Sequence, residues 1–345
     1  MTRTPRTRAT MPRVAAASLA VLLSATALTG CAGDPPKAQP EPSASGPALA
    51  TEQSDSVLAE INTVLAAASE ARDPAQLAGR LTGPALAVRT SQLQVAATRD
   101  NNDLVTDLPD SYQQIIIPTT ESWPRTAYAI TVVTDELQPP RLLALRQNSA
   151  RDNYMLWAWV QLQPGVQMPA FADRTFGSDE LAPDDASLRF TPQDAVNQYA
   201  DLLANGSESA FVDNFEPADD DQFRTFMASW ISAQQQALQG DRVNGTYTIT
   251  VAPMDDTPVL AVRTADGGAM VMAALTTSEQ MEAMEGATLT PQTKTAQALL
   301  QGQNPNNRLS AGYVDMIALF VPAAGSSAPV RLLGYSHVQT SASVG

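Results

Sequence analysis

The stretch Met155–Leu162 reads Met-Leu-Trp-Ala-Trp-Val-Gln-Leu, and in an extended chain successive side chains point to opposite faces. Leu156, Ala158, Val160 and Leu162 then share one face, and Met155, Trp157 and Trp159 share the other. A strand that is apolar on both faces has to be covered on both, which sets it centrally in a sheet. Helices from the same chain are expected to cover one face. A pocket, a neighbouring domain or a partner is expected on the other, which makes Met155, Trp157 and Trp159 a candidate ligand or partner face.

The preceding chain supplies those helices. Val57, Leu58, Ile61, Val64, Leu65 and Ala68 recur at helical spacing within Ser54–Arg72, with Ser54 and Asp55 as N-cap candidates and Asp73-Pro74 as the stop. Leu77–Ala97 continues as helix, interrupted at Gly83-Pro84. Strands are expected at Tyr112–Ile117 and Thr126–Thr134, and a hairpin at Arg141–Gln147 with Asn153–Gln163. In Thr191-Pro192-Gln193-Asp194 a threonine cap, a first-turn proline and an early acid open a new helix that runs through Leu203. A second is expected from Asp219 to Leu238. Strands follow at Thr246–Ala252, Pro258–Thr264, Ala269–Thr276, Gly312–Val321 and Pro329–Gln339. Thr277–Asn307 reads as a partly helical insertion, and Thr340–Gly345 as a disordered tail.

The two halves match each other. Tyr128-Ala-Ile-Thr-Val aligns with Tyr247-Thr-Ile-Thr-Val, Leu143-Ala-Leu-Arg with Leu260-Ala-Val-Arg, and Met155 with Met270, at offsets of 119, 117 and 115. Each match is preceded by two helices. The expected organisation is α+β, with two tandem related domains at 52–170 and 191–345, each packing N-terminal helices on a curved antiparallel sheet. Residues 171–190 are expected to form a linker.

The N-terminus carries an export signal. Arg3, Arg6, Arg8 and Arg13 precede an apolar run, Val14–Leu28, and no acid occurs before Cys31. The run is too short and too rich in small residues for a membrane span. Leu28-Thr29-Gly30-Cys31 reads as a lipobox, with 1–30 removed, Cys31 carrying the lipid, and the proline-rich stretch 31–51 acting as a tether. The expected location is the extracytoplasmic face of the cell membrane. Cys31 is the chain's one cysteine, so no internal disulfide can form. A formal charge of −15 repels nucleic acid.

The lipobox at Leu28–Cys31, the Thr191-Pro192 helix start and the paired helix–sheet units together resemble the two-domain secreted lipoproteins of unknown function found in actinobacteria. The likeness covers about residues 50–345, and its halves are similar to cystatin-like and nuclear-transport-factor-like cone folds. It implies an architecture rather than an activity. In such cones the concave sheet face forms a pocket or a pairing surface.

The chain has few groups that do chemistry. One histidine, His337, and one cysteine exclude Cys/His zinc sites and Cys–His nucleophiles, and no phosphate-binding loop, serine elbow or H-E-x-x-H motif occurs. No catalytic, cofactor or metal residue is assigned. If the last two strands form a hairpin, one register sets Asp315 opposite His337 and a shift of one residue sets it opposite Ser336. Asp315–His337 is thus a candidate polar pair, read as a cross-strand ion pair ahead of a catalytic base. Asp219-Asp220-Asp221 reads as a helix start and the eleven methionines as core. The resulting expectation is a membrane-anchored, non-enzymatic binding or scaffold module for a protein or a small apolar ligand. An accessory subunit of an envelope assembly or transport complex, and a carboxylate-dependent envelope hydrolase, are the alternatives.

Overall fold

A computed structural model of the chain describes residues 46–133, 138–240 and 243–345. The signal segment, Cys31 and residues 31–45 of the tether lie outside the described residues. Helix α1 (Thr51–Ala71) follows the apolar spacing of its sequence but starts ahead of the expected caps. It stops at Arg72 in the left-handed conformation (φ 51°), and Asp73 then accepts the Ala75 N–H to cap a 3-10 turn at Pro74–Leu77. Gly83-Pro84, expected as an interruption, is instead the first turn of α2 (Gly83–Arg99), where a missing proline N–H costs nothing. Gly83 has φ +54°, and a Cβ there would lie 2.8 Å from Trp157 Nε1.

In the second half, Thr191 Oγ1 accepts the Asp194 N–H at 3.0 Å and opens α3 (Pro192–Asn205). Thr191→Ala is expected to lower stability by about 1 kcal/mol, read from the midpoint of urea unfolding. Asp221 caps α4 (Gln222–Ala237) by accepting the Arg224 N–H at 2.9 Å, while Asp219 and Asp220 occupy the preceding 3-10 turn. A short helix, α5 (Lys294–Leu299), lies inside the expected insertion.

The strands are β1 (Gly46–Pro47), β2 (Tyr112–Ile116), β3 (Pro118–Thr120), β4 (Arg125–Thr131), β5 (Arg141–Gln147), β6 (Met155–Leu162), β7 (Ser178–Leu181), β8 (Gly245–Pro253), β9 (Leu260–Arg263), β10 (Ala269–Ala283), β11 (Arg308–Val321) and β12 (Arg331–Val344). They form one sheet in the order β1-β3-β7-β9-β10-β11-β12-β6-β5-β4-β2, with β8 also paired to β10. β2 and β3 stand towards opposite ends of that path, yet Ile117 alone separates them in the chain, so the sheet curls until its ends nearly meet.

The expected division into two tandem domains does not appear in this arrangement. β6 of the first half pairs with β12 of the second at Leu162–Gly334 and Gln161–Tyr335. Gly334 is required there, because a Cβ would lie 2.4 Å from the Gln161 carbonyl oxygen. Residues 171–190, expected as a linker, contain β7, which pairs with β3 on one side and β9 on the other. Leu142–Leu145 and Leu156–Val160 share a core with Met270, Met272, Met316 and Phe320, closed by Leu58, Ile61 and Val88 of α1 and α2. The opposite faces of β10–β12 (Val271, Ala273, Ile317, Leu319, Leu332) pack against Val196, Tyr199, Phe223 and Met227 of α3 and α4. Both faces of β10 and β11 are therefore buried over much of their length, one under each pair of helices. All described residues fall within one compact unit, Ser43–Gly345.

The sequence repeat does not carry over to strand pairing. β4, β5 and β6 form a meander, whereas their counterparts β8 and β9 both lie along one edge of β10, at Leu275–Ala283 and Ala269–Met272 respectively. A long β10 makes this possible. Thr277–Ala283, expected in the insertion, continues β10 because it is paired on both sides, with β8 and with Leu309–Tyr313 of β11. The expected disordered tail is likewise ordered: Ser341–Val344 completes the ladder to Gly312–Leu309 of β11.

Candidate functional site

Helix α4 crosses the far ends of the long strands. Its capping residue Asp221 is buried, with both carboxylate oxygens accepting from the Tyr199 hydroxyl at 3.2 and 3.0 Å. That fixes where the helix starts, and helical spacing then brings Phe223, Phe226, Trp230 and Gln234 along one side. Phe223 stacks on Tyr335 with ring centroids 4.4 Å apart, and Phe226 meets His337 at 5.4 Å. Trp230 Nε1–H donates to Glu279 Oε1 at 2.5 Å.

Beneath the helix lie polar side chains drawn from three adjacent strands. Thr277 and Glu279 alternate along β10, Tyr313 and Asp315 along β11, and β12 adds His337. Of the two registers the sequence allows, the structure has Asp315 opposite His337. His337 Nδ1 lies 2.5 Å from Asp315 Oδ1, Thr277 Oγ1 donates to Oδ2 at 2.5 Å, and Asp315 is completely buried. Tyr313 stacks on the imidazole at 4.4 Å. The hydroxyl of Tyr247 on β8 donates to Glu279 Oε1 at 2.9 Å, and that of Tyr313 to Oε2 at 3.3 Å. Burial raises the Glu279 pKa above its ordinary value, while these donors and the nearby His337 oppose the rise. Tyr247 and Tyr313 are both pushed upward by burial and by the Glu279 charge, so they act as donors at any ordinary pH.

Next to this cluster a cavity of about 280 Å³ opens between the C-terminal half of α4, the segment 288–293 and the ends of β10 and β11. Leu238, Met281, Leu289 and Leu309 give it apolar walls, Trp230 and Tyr313 line it, and Glu279 is its one charged residue among those described. His337 lines a separate recess with Gln163, Gln222, Phe226 and Tyr335.

The candidate face at Met155, Trp157 and Trp159 is closed. Trp157 and Trp159 are 1% and 0% exposed, and α2 is what covers them: Gly83 abuts Trp157, and the Arg89 guanidinium lies 5.4 Å from the centre of the Trp159 ring. Met155 is half-buried. The chain therefore supplies its own cover to the face expected to take a ligand or partner. Cys31 lies outside the described residues. Asp221 serves the helix start, and among the described residues no group of three or more His, Cys, Asp or Glu side chains could hold a metal ion. Sequence reading missed Glu279, Trp230, Tyr247 and Tyr313. The available signal was the period-two run Thr277, Glu279, Met281, Ala283 directly following a recognised strand.

A second acid is perturbed near the start of α4. Burial, reinforced by Asp221 and Asp220, lifts Glu216 to about 7, although its Oε1 accepts the Leu332 N–H at 3.1 Å. The folded chain keeps this proton up to about pH 7, whereas an unfolded chain releases it near the ordinary 4.5. Its contribution to stability is full below pH 4.5 and falls as pH rises to 7. Melting temperatures measured across that window are expected to decline less in Glu216→Gln than in the unaltered protein.

No solved structure matches the chain, so the likeness to cystatin-like and nuclear-transport-factor-like cones has no counterpart there. The family described as "Domain of unknown function (DUF8094)" matches residues 45–344. The chain belongs to the DUF8094 family. The match takes in both helix pairs and every described strand, in keeping with one shared sheet. This DUF8094 protein is 27% identical over 284 residues to an uncharacterized lipoprotein of Streptomyces avermitilis, covering 81% of each chain. It is also 27% identical over 364 aligned residues to an uncharacterized lipoprotein of Streptomyces coelicolor, covering 96% of each.

Proposed function

We propose that this protein is a lipid-anchored, extracytoplasmic binding module whose site is the cavity beneath the C-terminal half of α4. The anchor reading draws on the lipobox at Leu28–Cys31 and on relatives named as lipoproteins. The observation that carries the binding reading is the cavity itself: apolar walls, two aromatic residues and a few polar groups, one of them charged, are what small-ligand sites are made of. The hydrolase alternative is less well supported, because Asp221 and Asp315 have both oxygens engaged in holding α4 and β12 in place.

Titration with 1-octanol, followed by calorimetry and by tryptophan fluorescence, tests the proposal. Saturable binding is expected, with the fluorescence change lost in Trp230→Phe and binding lost in Ala311→Phe, whose ring would fill the cavity. Binding that survives Ala311→Phe would place the site elsewhere.

A further inference from the structure

The lining of this cavity holds one charge, Glu279, that makes no ion pair among the described residues, the nearby His337 being paired with Asp315 instead. Glu279 is 1% exposed, and among the described residues no lysine or arginine forms an ion pair with it. Burying a carboxylate without a counter-charge is costly, and neutral donors recover only part of what water supplied. Those donors are the Trp230 indole, the Tyr247 hydroxyl and the Tyr313 hydroxyl. Two of them crowd Oε1, whereas Oε2 accepts only the long 3.3 Å bond from Tyr313. A carboxylate oxygen takes about two donors, so Oε2 retains room for another.

Asp315 provides the contrast. It is just as buried and is held by His337 and Thr277, one on each oxygen, but it does not line the cavity. Glu279 differs in facing the cavity, between Trp230 and Tyr313, whose rings favour a neighbouring cation. An anionic ligand would meet both this carboxylate and the overall charge of −15.

We propose that the cavity selects single-chain amphiphiles bearing a primary ammonium group, with Glu279 as counter-ion and the Leu238–Met281–Leu289–Leu309 walls taking the hydrocarbon. The inference rests on the binding reading above. At about 280 Å³ the cavity lies at the small end of ligand sites, which run from ~300 to 1,000 Å³, and suits one short chain rather than a two-chain lipid.

Three isosteric probes test it: octylammonium, 1-octanol and octanoate, each titrated into the whole protein by calorimetry. Octylammonium is expected to bind about tenfold or more tightly than the other two, since an ionic hydrogen bond replaces a neutral one. Glu279→Gln should erase that preference, bringing octylammonium to about the affinity of 1-octanol in the same variant. The comparison in the unaltered protein stands even if Glu279→Gln fails to fold. Equal affinities, or tighter octanoate binding, would overturn the ammonium inference and leave the cavity as an apolar site. Failure of all three probes to bind would overturn the binding reading itself.

Discussion

Replacing Asp315 with alanine is expected to cost about 3–5 kcal/mol of stability, the usual loss when one member of a buried pair is removed. The carboxylate is completely buried between β10 and β12, and the substitution strands both the His337 imidazole and the Thr277 hydroxyl. Asp315→Asn keeps the shape and lets Thr277 turn its hydroxyl to accept, so a smaller loss of about 1–2 kcal/mol is expected. His337→Phe in the Asp315→Ala background should recover part of the deficit, because the stranded imidazole is then gone, and the pair should show a coupling of about 1 kcal/mol or more. Urea midpoints of the unaltered protein, Asp315→Ala, Asp315→Asn, His337→Phe and the Asp315→Ala/His337→Phe double variant give all these values. An Asp315→Ala protein within about 1 kcal/mol of the unaltered one would mean that the pair contributes nothing to folding.

The other large effect concerns the tryptophans. Trp159→Ala is expected to destabilise the protein by about 3–5 kcal/mol, as deletion of a fully buried aromatic side chain does. Trp159 is 0% exposed, under α2 and Arg89, and its indole N–H has no partner among the described residues. Trp159→Phe should therefore cost less, because it removes that unpaired donor along with the extra ring. In protein that remains folded, 1-octanol binding should be unchanged, since the cavity under α4 contains no part of this strand. The opposite pattern, full stability with lost binding, would restore Met155, Trp157 and Trp159 as a ligand face.

Local chemistry made much of this legible from sequence. Thr191 caps its helix as the motif implies, and the Arg141–Gln147 strand forms the expected hairpin with β6, because these features depend on neighbours along the chain. The doubly apolar β6 was also read rightly as needing two covers. What covers it was not legible. That the helices of the first half would close over strands of the second depends on a contact such as Gly334 against Gln161, between residues far apart in the chain. The site was hidden for a different reason. Thr277, Glu279 and Gln280 read as part of a partly helical insertion, and only the arrival of α4 turns Glu279 into a buried carboxylate with three donors. Polar residues signal burial only through their partners, and here the partners come from α4, β8 and β11.

The pairing of β6 with β12 also sets an order of events during biosynthesis. β12 (Arg331–Val344) follows every other described strand in the chain, so the strand that joins the two halves is made after both of them. Domains whose contacts are local can fold as they emerge. The sheet described here cannot close before β12 has been made, so the free edge of β6 waits without its partner until nearly all the other strands exist.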